Sequence, residues 1–84
     1  MYVVGAIILS AFWEAHPECE AELRALHALL ADTRPGELRE MFRHAAEFEG
    51  TAAMLDLERT RVAIDINEAG RVVRVTGVTM REAE

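Results

Sequence analysis

The sequence predicts an α+β fold: an N-terminal strand, two to three helices, then a three-stranded antiparallel meander packed on the helices. Three observations carry that prediction. Tyr2 to Trp13 is nearly continuous apolar chain, Leu9 to Leu30 carries apolar residues at helical spacing, and beyond Thr51 the period shortens to two. With 84 residues there is room for one core. Such a chain buries roughly 60–65% of the surface it exposes unfolded, so residues 1–84 are read as one domain.

Tyr2 to Leu9 lacks polar alternation and reads as a strand buried on both faces, or as a strand running into a helix. Leu9, Phe12, Trp13 and His16 then fall at i, i+3, i+4 and i+7, the spacing of a short helix. Pro17 cannot donate a backbone hydrogen bond and disfavours helical geometry at His16, yet it suits the first position of a new helix. Glu18, Glu20 and Glu22 follow, where negative charge complements a helix N-terminus. Leu23, Leu26 and Leu30 supply the inward stripe of this second helix. Two helices meeting at His16-Pro17 are therefore expected, in place of one kinked helix.

Asp32 to Gly36 is a connector. Leu38, Met41, Phe42 and Ala45 give the core side of a third helix, fading near Phe48 and stopping at Gly50. Ala53, Leu55 and Leu57 alternate with Met54, Asp56 and Glu58, and Val62, Ile64 and Ile66 alternate with Arg61, Ala63, Asp65 and Asn67. Asn67 to Gly70 forms a turn, and Val72 to Val78 the returning strand. The adjacent Val72 and Val73 leave open which face carries Arg74. Arg81 to Glu84 reads as a frayed tail.

Composition narrows the function classes. Fifteen acids against nine bases give −6, and every base is arginine, so nucleic-acid contact requires a local arginine cluster. Cys19 is the single cysteine, which excludes an internal disulfide and fits a reducing cytoplasm. The apolar start is too short for a membrane span and lacks the basic beginning and cleavage site of a signal peptide. No membrane partner and no cofactor are expected. His16, Cys19 and His27 are three scattered groups without a fourth ligand, so no metal is assigned. Glu14, Glu18, Glu20, Glu22, Glu37, Glu40, Glu47 and Glu49 give the helical layer an acidic exterior. That exterior is either a solvated face or a surface for a basic protein or nucleoprotein.

"FWEAHPECEAELRAL" resembles the opening of HigB-type toxins of the RelE superfamily, in which a strand and helix lead to a Phe-Trp-Glu-x-His-Pro junction. Phe12, Trp13, Glu14, His16 and Pro17 match that junction. Pro35, Glu37, Leu38, Arg39, Phe42, Ala45, Glu47, Phe48 and Gly50 are similar to a second family segment, and Arg59 and Arg61 fall at the basic positions of its hairpin. The resemblance implies a type II toxin: a ribosome-dependent mRNA endonuclease covered by a helix-turn-helix antitoxin. Arg59, Arg61 and Arg74 are the implied RNA contacts, with Arg61, Arg59 and His44 as the candidate catalytic groups. The family ends its last strand with Gly-Thr-His and a nearby tyrosine. Here Met80 stands at the histidine position and no tyrosine follows. The activity is therefore expected to be intact or weakened. The alternative is a non-enzymatic acidic binding protein on the same scaffold, such as a phage-encoded anti-CRISPR or other anti-defence inhibitor.

Overall fold

The computed structural model describes residues 2–34, 37, 40, 46–67, 69 and 71–81. Strand β1 spans Tyr2–Val4, helix α1 Ala6–Ala15 and helix α2 Glu20–Asp32. Four further strands follow: β2 (Ala46–Glu49), β3 (Ala52–Asp56), β4 (Thr60–Asn67) and β5 (Val72–Met80). Together the strands form one five-stranded sheet in the order β1-β5-β4-β3-β2. β2 to β5 are successively antiparallel, and β1 lies parallel to β5 at the edge. The protein is α+β, as the sequence predicts.

The apolar start resolves into its second reading, a short strand running into a helix. Gly5 makes the change of direction with φ of 85°. A β-carbon there would sit 2.6 Å from the Val75 carbonyl oxygen, so both the left-handed backbone and the close approach to β5 require glycine. Leu9 is buried, and Ile8, Phe12 and Trp13 pack against the core from α1.

The proline does separate two helices. α1 ends at Ala15, His16 adopts φ −131° and ψ 76°, and Pro17–Cys19 form a single 3-10 turn before α2. The His16 ring stacks on Phe12 with centroids 4.5 Å apart, and Arg24 of α2 lies over Trp13 at 4.8 Å. Those contacts fix the angle of the elbow. Leu23, Leu26 and Leu30 then meet Ala53, Leu55, Val62, Ile64, Ile66, Val73 and Val75 in one core.

Several expectations require correction. Ala46–Glu49 is a strand, not the fading end of a third helix, so the meander has four strands where three were expected. Gly50, at φ 62°, and Thr51 form a two-residue turn between Glu49 and its partner Ala52, and this local turn chemistry outweighs the helical spacing upstream. Glu37 and Glu40 are helical, but the core side of the expected helix (Leu38, Met41, Phe42 and Ala45) lies outside the described residues. Glu47 and Glu49 accordingly belong to β2 and not to a helical exterior.

Leu57 is in the β3–β4 turn, where its N–H donates to the Thr60 carbonyl at 2.8 Å. In the β4–β5 turn, Arg71 takes positive φ (52°), and Gly70 lies outside the described residues. Arg81 is not frayed. Its N–H donates to the Arg59 carbonyl at 2.9 Å and its Nη1 to the Leu57 carbonyl at 2.6 Å.

Candidate functional site

Alternation decides which side chains face away from the helices. On β4, Thr60, Val62, Ile64 and Ile66 are buried, which turns Arg61, Ala63 and Asp65 to the other face. Asp56 is Arg61's register partner on β3, and Thr79 is its partner on β5. A bulge near Ala63 and Ile64 inserts one extra residue in β5. It resolves the ambiguity of that strand: Val73 and Val75 are buried, while Arg74 and Thr79, on either side of the bulge, both fall on the open face.

At the β3–β4 end of this face, Asp56, Arg61, Thr79, Met80 and Arg81 line an open pocket of ≈ 430 Å³. Asp56 Oδ1 accepts a hydrogen bond from Arg61 Nε at 2.8 Å, and the Arg61 and Asp56 side chains remain 40% and 33% exposed. Met80 has two neighbourhoods. It lines the pocket, and its sulfur lies 3.6 Å from the Cys19 Sγ–H of the elbow.

The turn beneath the pocket is fastened to α2 by one carboxylate. Glu22 accepts from the Arg59 N–H at 3.1 Å with both oxygens, from the Thr60 N–H at 3.2 Å and from Thr60 Oγ1 at 2.8 Å. Thr60 is fully buried, so its own two bonds satisfy donors that water does not reach. Glu22 is thereby a structural anchor, which corrects its assignment to a solvated acidic exterior. Glu20 is paired with Arg24 at 2.8 Å, and Glu14 and Glu18 remain exposed.

The candidate residues thus divide. Arg61 lies in the pocket. Arg59 is in the turn bonded to Arg81 and Glu22. Arg74 shares the face but pairs with Asp65, four residues further along β4, about 13 Å away at ~3.3 Å per residue. It is not brought into the pocket. Asp65 Oδ1 is buried and has no hydrogen-bond partner among the described residues. His44 lies outside the described residues.

Three pocket residues were missed from sequence: Asp56, Thr79 and Arg81. Thr79 and Arg81 carried no signal, since unbroken alternation from Val73 and Val75 places them on the buried face and only the bulge reverses that phase. Nor did Asp56, because nothing in the linear sequence marks it as Arg61's partner.

Cys19 is fully buried, and burial pushes its thiol above the ordinary value, with Glu18 and Glu22 adding to the shift and Arg59 opposing it. It is a core residue and not a nucleophile. Among the described residues, no helix is long and apolar enough to cross a membrane, and no three His, Cys, Asp or Glu side chains gather as a metal site. No family model matches the chain, and no curated protein matches it.

Proposed function

We propose that the chain is a HigB-like protein of the RelE superfamily, the toxin of a type II toxin–antitoxin pair, acting on translated mRNA as an endonuclease or a catalytically weakened descendant of one. One observation carries this reading. The resemblance puts Arg61 and the family's histidine position, held here by Met80 as a departure, on the active surface from two separate segments, and these two residues line the same pocket. The order of elements (strand, paired helices at a His-Pro elbow, antiparallel meander) supports the same kinship.

RNA cleavage by attack of a 2′-hydroxyl requires a proton acceptor, a cation for the charge that develops on the phosphate, and a proton donor for the leaving oxygen. Arg61 and Arg81 supply cations and Thr79 a hydroxyl. Asp56 is the one carboxylate among the described lining residues. Met80, a thioether at the family's histidine position, transfers no proton. The pocket is therefore equipped better for holding a phosphate than for moving protons around it, which fits a weakened enzyme.

Expression in cells should arrest growth and cleave translated mRNA, and Arg61→Ala should relieve both. Met80→His should raise cleavage above wild type. Unchanged growth with intact mRNA at high levels of folded protein would sink the catalytic reading. The proposed partners are the ribosome with its mRNA and an antitoxin of helix-turn-helix type, whose gene should stand next to this one.

The second reading, an acidic inhibitor binding a basic protein or nucleoprotein, draws on exposed Glu14, Glu18, Glu37 and Glu40. Engagement of Glu20 and Glu22 and the placement of Glu47 and Glu49 in a strand narrow that surface. Recovery of a basic partner whose capture weakens with salt, from cells lacking any adjacent antitoxin gene, would favour it.

A further inference from the structure

Asp56 raises a question that the proposed function leaves open. A carboxylate inside a phosphate pocket repels the ligand that the pocket is built to attract. Stability does not account for it, because an ion pair this exposed contributes little to folding. Its geometry suggests another role. A carboxylate offers a guanidinium the same kind of oxygen acceptors that a phosphate does, so Asp56 holds Arg61 as a bound anion would.

The surroundings set the conditions for exchange. Asp56 approaches Arg61 from the β3 side, Thr79 faces it from β5, and Arg81 closes the same pocket from the end of that strand. A ligand that contacts Arg61 alone gains nothing over Asp56, which is already attached to the protein and has no association entropy to overcome. One that also reaches Thr79 and Arg81 gains contacts that Asp56 does not supply.

We infer that Asp56 is a specificity-determining residue: an internal counter-anion from which Arg61 is released to a nucleotide-chain phosphate that engages Arg81 and Thr79 together, and not to an isolated anion. This inference rests on the reading of the pocket as an RNA site.

The test is fluorescence anisotropy with a labelled single-stranded RNA, and inorganic phosphate as competitor. Wild type is compared with Asp56→Asn, with Asp56→Asn combined with Arg61→Ala, and with Glu58→Gln, an exposed carboxylate in the neighbouring turn that controls for net charge. Asp56→Asn should tighten RNA binding by about fivefold or more, whereas Glu58→Gln should change it by less than about twofold. Free phosphate should compete against Asp56→Asn and not against wild type, and removal of Arg61 should abolish the gain.

If wild type binds RNA but Asp56→Asn binds no tighter than Glu58→Gln, the counter-anion role is overturned and the RNA reading stands. A gain that persists without Arg61, or phosphate competing equally with both proteins, overturns it as well. If neither protein binds RNA or phosphate while circular dichroism shows both folded, the pocket is not an anion site and both readings fall.

Discussion

The elbow and the arginine pocket are built on opposite principles. Behind His16-Pro17 the chain is dry, with Cys19 and Leu23 fully buried, while on its outer side half-buried Phe12 lies against His16 and half-buried Trp13 under Arg24. At the pocket, Arg61 and Asp56 are solvent-accessible and held by a single ion pair. The first region keeps its geometry by burial, the second by hydrogen bonds to its backbone. They are nevertheless adjacent. Cys19 touches Met80 at the pocket wall, and Glu22, three residues beyond Cys19, ties down the turn that carries Arg59. The comparison teaches that the elbow, far away in sequence, is the rear support of the pocket.

The largest blow to that arrangement should be Leu23→Ala. Removing a fully buried leucine beside the elbow should cost about 3 kcal/mol through lost burial and the cavity left behind, read from the urea midpoint. Glu22→Ala comes next, at about 2 kcal/mol, because the buried Thr60 donors lose their acceptor. It should also free the Arg59 and Thr60 amides to exchange with solvent. If both amides stay protected, Glu22 is not the link between the two regions.

A smaller effect should appear with pH. The Cys19 thiol is raised in the folded protein, so above the unfolded-state value the folded chain binds more protons than the unfolded one. Stability should therefore fall as pH rises beyond about 9, and Cys19→Ala should flatten that limb. The chain has no lysine to obscure the measurement. A wild-type alkaline limb identical to that of Cys19→Ala would contradict the dry environment assigned to Cys19 behind the elbow.

Asp56→Asn should move stability least, within about 0.5 kcal/mol, because an exposed ion pair is worth little. A much larger loss would mean that the pocket, like the elbow, is a structural unit.

Much of the fold was legible. The two-residue period of Val62, Ile64 and Ile66 and the i, i+3, i+4 spacing of the leucines mark faces that must be buried, and both patterns survive intact. β2 was not legible. Four residues with no long apolar stripe take their structure from the Gly50-Thr51 turn and from pairing with β3. Arg61 was identifiable as an outward-facing cation by its phase against Val62. Its partners were not, since Asp56, Thr79 and Arg81 reach it only through strand register and a bulge.

Sequence alone therefore determined the α+β class, the elbow at Pro17 and the inward faces, because periodicity, proline chemistry and hydrophobicity act over a few residues. Only the tertiary structure decided that β1 lies parallel to β5 at the sheet edge, that Arg74 stands apart from Arg61, and that Met80 joins a buried thiol to an open arginine pocket. Those outcomes depend on which strands pair and in what register, and contacts between residues some sixty positions apart leave no local trace.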